Sequence, residues 1–313
     1  MGKYILNRLL WLVVTVLVTA FLIFTILYFT PGEPARYLLG SSATAEEVEF
    51  MTAKLGLDQP YLVQFGQFMS QTFLHFDFGE SWVYGVPVFE ELANRLPYTL
   101  IISIVGMIFN VILGITLGIF AGTHEGKWQD SLTMTICMIF VSCPDFWVAL
   151  MLIMLFCSKL NWLPSYGIGS WKCFVLPIFV SALPGIAVNA RQTRSSILEV
   201  FREDYITTAR AKGQKERVVV YNHMLPNALM PVVTSLGGGL SRIVAGVTVI
   251  EAVFSIPGVG LYLLTGVNAH DYPVIRSCVL FLAAFACLVM LLVDLAYAWI
   301  DPRIKVKFAG GGR

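Results

Sequence analysis

Apolar positions in this chain gather into runs of the length a lipid bilayer requires. A helix crossing the hydrocarbon core needs about 20 mainly apolar residues. Residues 9–30 and 96–123 carry no charge, and 131–158 carry only Asp145. Residues 173–190 form a shorter run holding Pro177 and Pro184, which neighbouring helices in a membrane can accommodate. Residues 227–253 carry Arg242 and Glu251, and 277–300 carry Asp294. The pattern predicts an all-α membrane protein with six transmembrane helices, and an even number of spans puts both termini on one side.

The division that follows is an N-terminal transmembrane helix over 1–30, an extramembrane segment over 31–97, a core of five spans over 98–300 and a tail over 301–313. Within 31–97, Thr44 and Glu47 have the spacing of a capping box, and Gly56 suits the end of that helix. Pro60 suits the start of a second. A lid, a docking surface and a plain spacer all fit so small an element. Inside the core, 191–227 is a long polar loop. The terminal run AGGGR reads as a flexible end.

Composition agrees: 57% of the 313 residues are hydrophobic and 13% charged, against about 25% charged in soluble domains. The net charge of +1 gives no global basic field that would point to nucleic acid. The distribution of charge sets the topology. Lys3 and Arg8 precede the first run, Arg191, Arg194, Arg202, Arg210, Lys212, Lys215 and Arg217 lie between the fourth and fifth, and Arg303, Lys305, Lys307 and Arg313 follow the sixth. Lys and Arg near span ends stay in the cytoplasm, so both termini and the 191–227 loop are expected there and 31–97 outside. The first run, at 22 residues, exceeds the apolar core of a cleaved signal peptide and has no A-x-A-like site after it. The six cysteines form no C-x-x-C pair and read as small core residues.

The polar stretch DYITTARAKGQKERVVVYNHMLPNAL, 204–229, reads as a helix capped by Asp204, a turn at Gly213, and a second helix stopped by Leu225 and Pro226. Arg210, Lys212, Lys215 and Arg217 offer charge to a partner. Charge alone favours a basic, topology-setting loop touching lipid head groups. Within the spans, Asp145, Arg242 and Glu251 cannot face lipid cheaply and mark a candidate translocation path. Arg242 either meets the carboxylate of a solute on that path or pairs with Asp145. Arg242 and Glu251, nine residues apart or about 13 Å along a helix, are not partners on one face. Asp294 reads as an anchor near the interface, and Gly237, Gly238 and Gly239 as sites of close helix packing. Pro257, Gly258 and Gly260 mark a turn: an outer gate, a docking surface, or a plain loop. No phosphate-binding loop appears. GTHEGKW, 122–128, has three residues between its glycines instead of four and Trp128 after the lysine. No H-E-x-x-H or G-x-S-x-G motif occurs either.

The 204–229 segment resembles the signature loop of ABC-importer permeases. That pattern runs Glu-Ala-Ala, three residues, Gly, nine residues, Ile, one residue, Leu-Pro. Thr207-Thr208-Ala209, Gly213, His223 and Leu225-Pro226 stand at those places, departing at the first two positions and at the isoleucine. DYITTARAKG is similar to the loop variant of the dipeptide, oligopeptide and nickel permease branch. KLGLDQP (54–60), FGESW (78–82), ANRLPYTL (93–100), VIEAVFSIPGVG (249–260) and HDYPVI (270–275) resemble other stretches of that branch in the same order.

The resemblance implies the type I ABC-importer permease fold. It also implies a subunit that is not itself an enzyme, paired with a second homologous permease and moving solute by alternating access. Two ATPase subunits would bind ATP and magnesium below, and an extracytoplasmic solute-binding protein would deliver solute above. Asp204, Tyr205, Thr208, Ala209, Arg210, Ala211, Lys212 and Gly213, with Leu225 and Pro226, would form the element coupled to the ATPases. The implied solute is a peptide, with nickel or a metal chelate as the alternative. His75 and His270, the outer-side histidines, form no evident metal site.

Overall fold

The computed structural model describes residues 2–229 and 247–300, and every regular element among them is helical. In chain order these are α1 (Gly2–Phe29), α2 (Pro34–Leu39), α3 (Ala45–Lys54), α4 (Tyr61–Leu74), α5 (Val88–Gly122) and α6 (Trp128–Ser142). Next come α7 (Asp145–Leu152), continued as a π-helix over Ile153–Lys159, and α8 (Lys172–Phe201). The polar loop holds α9 (Asp204–Ala211) and α10 (Glu216–Val218), the latter continued as a π-helix over Val219–Met224. After helical residues 225–229 and 247–253, α11 (Val259–Asn268) and α12 (Tyr272–Ile300) complete the described chain.

Four stretches among the described residues are long and apolar enough to cross a membrane: Leu6–Phe29, α5, α8 and Tyr272–Leu292. Their surfaces confirm the solvent they are built for. On α1, Trp11 is 60% and Phe29 71% exposed, an apolar surface that water would not leave uncovered on a soluble protein. The third expected span is not one straight rod. It breaks between α6 and α7 with a bend of 105°. Pro144 is the cause: the residue before a proline is forced out of helical geometry, and Cys143 sits at φ −88°, ψ 135°. The fourth runs on to Phe201, past the apolar stretch read from the sequence, and passes through both of its prolines. Most of the expected fifth span, with Arg242 and Gly237–Gly239, lies outside the described residues.

Described residues up to Thr99 form one compact unit with those from Pro257 onward, and Leu100–Ile256 form another. In the first unit α12 packs along α1. Ala20 and Phe24 of α1 meet Phe68 of α4 and Leu280 of α12, with the Phe24 and Phe68 rings stacked at 5.5 Å. Between α1 and α5, where two helices were expected, the chain forms three, α2, α3 and α4. Thr44 and Glu47 make the full capping box of α3, and Gly56 and Leu57 close its far end by donating to Ala53 and Thr52 carbonyls. Pro60 stands at the N-cap of α4. Asp271, fully buried, ties FGESW to HDYPVI: it accepts from the Ser81 hydroxyl at 2.5 Å and from the Trp82 and Val83 N–H groups at 3.2 and 3.3 Å.

In the second unit α5 and α8 approach so closely that α5 presents glycines, with no side chain, at the tightest points of the contact. A Cβ on Gly114 would lie 2.7 Å from the Asn189 Cβ, one on Gly118 2.6 Å from the Ala190 carbonyl, and one on Gly122 2.7 Å from an Ile197 methyl. Small residues four apart let backbones meet where dispersion, not the hydrophobic effect, drives association. The Asn189 amide donates to the Asn110 carbonyl oxygen at 2.6 Å inside this contact. At the end of α8, Arg194 grips the buried Asp130 of α6 with two hydrogen bonds, 2.5 and 2.7 Å long. Three of the six cysteines, Cys137, Cys173 and Cys278, are buried, and all six are free thiols.

Candidate functional site

The polar loop folds as a helical hairpin seated on the ends of α5 and α8. Ile206 and Ala209 of α9 face inward against Val219, Val220 and Met224, with Ile197 of α8 in the same buried cluster and Ile119 of α5 packed at its edge. Full burial of Ile206 alone contributes about 1.5–3 kcal/mol. Gly213 makes the turn. Its φ of +75° lies in the left-handed region, and a Cβ there would meet nothing within 4 Å, so backbone conformation rather than space demands glycine.

Three polar contacts lock the hairpin. Arg210 donates to both Glu216 carboxylate oxygens, at 3.1 and 2.6 Å, while its guanidinium lies 4.1 Å from the Phe201 ring centre. The pair holds the Glu216 carboxyl below the usual carboxylate range. His223 and Gln214 share a 2.7 Å hydrogen bond, and the Asn227 amide donates to the Tyr205 hydroxyl at 3.0 Å. Between these ties the hairpin presents Asp204, Tyr205, Thr208, Ala211, Lys212 and Gly213, with Lys215 and Arg217, to the surface.

Several details differ from the sequence reading. Glu203, not Asp204, stands at the N-cap of α9, and Asp204 is its first helical residue. Ala209 is buried and supports the hairpin from beneath, and Arg210 is half-buried and held by Glu216, so neither offers itself freely outward. The second helix does not stop at Leu225 and Pro226; residues 225–229 stay helical. A proline removes one N–H and pushes against the carbonyl four residues back. Here Val219–Met224 widen into a π-helix just before Pro226, which relieves that conflict, and the Asn227 side chain donates to the His223 carbonyl at 3.2 Å. Leu225 packs against the buried cluster, and Pro226 is exposed.

Of the candidate path residues, Asp145 is half-buried at the first position of α7, immediately after the 105° break, and Glu251 is fully buried. Arg242 lies outside the described residues, and with it the suggested pairing to Asp145. Asp294 belongs to α12. Gly258 is the N-cap of α11, whose first N–H, on Val259, donates to the Thr99 hydroxyl at 2.9 Å. Gly258 and Gly260 are buried and Pro257 is partly so, which suits an internal element better than an exposed docking surface. The sequence reading missed the Gly114–Gly118–Gly122 contact, whose four-residue spacing was visible, and the Asp130–Arg194 pair, whose members are 64 residues apart.

The chain matches, over residues 114–306, the family described as binding-protein-dependent transport system inner membrane component, and over residues 1–103 the N-terminal family of the same components. It is 41% identical over 307 residues to a glutathione transport system permease protein GsiC of Salmonella paratyphi A, covering 98% of this chain and all of that one. The GsiC of Escherichia coli K12 is 40% identical over the same length. Among solved structures, the MetNI methionine ABC transporter in inward-facing conformations superposes with a TM-score of 0.58 at 19% identity, over 68% of this chain and 97% of that one. An amino acid ABC transporter determined with histidines gives 0.51 at 13% identity, over 69% and 94%, and both likenesses concern the fold. The hairpin at Gly213, the spans around it and this kinship along nearly the whole length agree: the chain belongs to the family of inner-membrane components of binding-protein-dependent transport systems, a multi-pass permease subunit of an ABC importer and a transport component rather than an enzyme.

Proposed function

We propose that the chain is one half of a permease that moves peptides into the cytoplasm by alternating access. In this reading it crosses the membrane six times with both termini in the cytoplasm, and it pairs with a second homologous permease. Two ATPase subunits carrying ATP and magnesium bind the Asp204–Gly213 hairpin, and a solute-binding protein delivers peptide from outside. The hairpin carries the coupling part of the proposal. Its own hydrogen bonds tie it together and it packs on the ends of two spanning helices, which supports a role in passing movement from its exposed face to α5 and α8. The peptide part is supported by the glutathione permeases, since glutathione is a peptide.

The test is ATP hydrolysis by the complete transporter reconstituted with its binding protein. Glutathione and a mixture of short peptides are compared with nickel and a nickel–histidine chelate. Peptide-stimulated hydrolysis is the expected result. Stimulation by the metal alone would overturn the substrate class and leave the coupling proposal standing.

A further inference from the structure

The first unit contains a cavity of about 510 Å³ that the transport mechanism above does not use. It lies where α1 leaves its apolar stretch, between Tyr28 and Glu33 on one side, α3 and α4 on another, and the start of α12. Its volume falls within the range of sites that enclose small molecules, about 300–1,000 Å³. Its walls are mixed: the rings of Tyr28, Trp82 and Tyr272, and the carboxamides of Gln67 and Gln71.

One charged group distinguishes this space. Arg276, in the first turns of α12, lines it with its guanidinium 5.0 Å from the Phe68 ring centre, and among the described residues it makes no hydrogen bond and no ion pair. The two acids whose fields reach Arg276 are already engaged. Asp271 accepts from Ser81, Trp82 and Val83, and Asp77 accepts from the Gly79 N–H at 2.8 Å. Glu33, the one acid lining the cavity, is paired with Arg36 at 2.7 Å. A guanidinium brings a rigid fork of five donors suited to carboxylate or phosphate. Leaving it withdrawn from bulk water without an acceptor is costly, unless a ligand provides one.

We propose that this cavity is an anion-binding site in which Arg276 receives a single carboxylate or phosphate group, with the aromatic walls holding the body of the molecule that carries it. That chemistry has two sources: a peptide-type solute with a free carboxylate, or the head group of an anionic phospholipid at the membrane boundary, where Tyr and Trp side chains concentrate. The assignment of the cavity to the outer side of the membrane rests on the proposed topology, and the binding chemistry does not.

The experiment uses the purified complete transporter, wild type and Arg276→Gln, without ATP. Glutathione binding is measured by titration calorimetry, and retained phosphatidylglycerol is counted by native mass spectrometry. The expected result is that one of the two probes binds the wild type and that Arg276→Gln weakens it at least tenfold. Glutathione dependence would identify a solute site and phosphatidylglycerol dependence a lipid site. Should Arg276→Gln not assemble, Gln71→Leu and Trp82→Leu carry the same comparison. Neither probe binding, or equal binding by wild type and variants, would overturn the proposal. Failure here leaves the peptide-stimulated ATPase result untouched, so the two readings fail separately.

Discussion

Arg210 and Glu216 face each other across the turn at Gly213, joined by two hydrogen bonds of 3.1 and 2.6 Å, so the last turn of α9 is clamped to the first of α10. The clamp has a pH dependence of defined sign. The hydrogen bond from Arg210 lowers the folded-state pKa of Glu216 below its ordinary value of 4.5. The unfolded chain therefore binds a proton more readily, and the pair's stabilisation is complete above about pH 4.5 and lost as pH falls through the lower folded value. Glu216→Gln is expected to speed amide hydrogen exchange across 204–218 at pH 7. The difference from wild type should shrink steadily below pH 4.5.

Gly213→Val places a β-branched residue at φ +75° and costs about 1–2 kcal/mol in backbone strain at the tip of the hairpin. The expected phenotype is a permease present in the membrane at normal level, with uptake reduced and ATP hydrolysis no longer stimulated by loaded binding protein. Uptake at the wild-type rate would refute the assignment of the hairpin as the coupling element.

Gly118→Leu tests the contact between α5 and α8. The new side chain would press into the Ala190 carbonyl and Thr193, and α8 must move away. Overpacking of this kind costs about 1–3 kcal/mol or more. A lower thermal midpoint of the purified complex is expected, whereas Gly66→Ala, in open space on α4, should change it little.

Asp130→Asn leaves Arg194 without its carboxylate at the foot of α8. Removing one partner of a buried pair costs about 3–5 kcal/mol, and Arg194 retains some exposure, so a loss near the lower end is expected. The measurement is the thermal midpoint together with membrane abundance. The double variant Asp130→Asn, Arg194→Gln should recover part of the loss, because no unpaired charge remains.

The long spans α1, α5, α8 and α12 were legible because each rests on a continuous apolar run, a signal that needs no knowledge of neighbours. The hairpin turn was legible because Gly213 interrupts good helix formers at a position where only the backbone matters. Other features depend on competition between local signals. Pro144 lies inside an apolar run long enough to span, and the run argues for one helix while the proline argues for two; the structure follows the proline. At Pro226 the outcome reverses, because a π-helical widening upstream absorbs the conflict. Asp130 with Arg194, and Arg276 above its cavity, were beyond reach, since their meaning comes from elements far apart in the chain.

The break at Pro144 also ties this protein to the thickness of its bilayer. α6 and the bent segment after it hold 15 residues each, α7's 8 and the π-helix's 7 together making the second 15. At 1.5 Å per residue either arm reaches about 22 Å, short of about 30 Å of hydrocarbon. Neither arm bridges the membrane alone, so as one of the six proposed crossings the pair must serve together as a broken span. The lipid beside Asp145 must thin, or yield to water or protein, for this part of the chain to be accommodated. A broken span has less apolar length to spare than a straight one, so a bilayer with longer acyl chains is expected to weigh on this segment more than on α5 or α8.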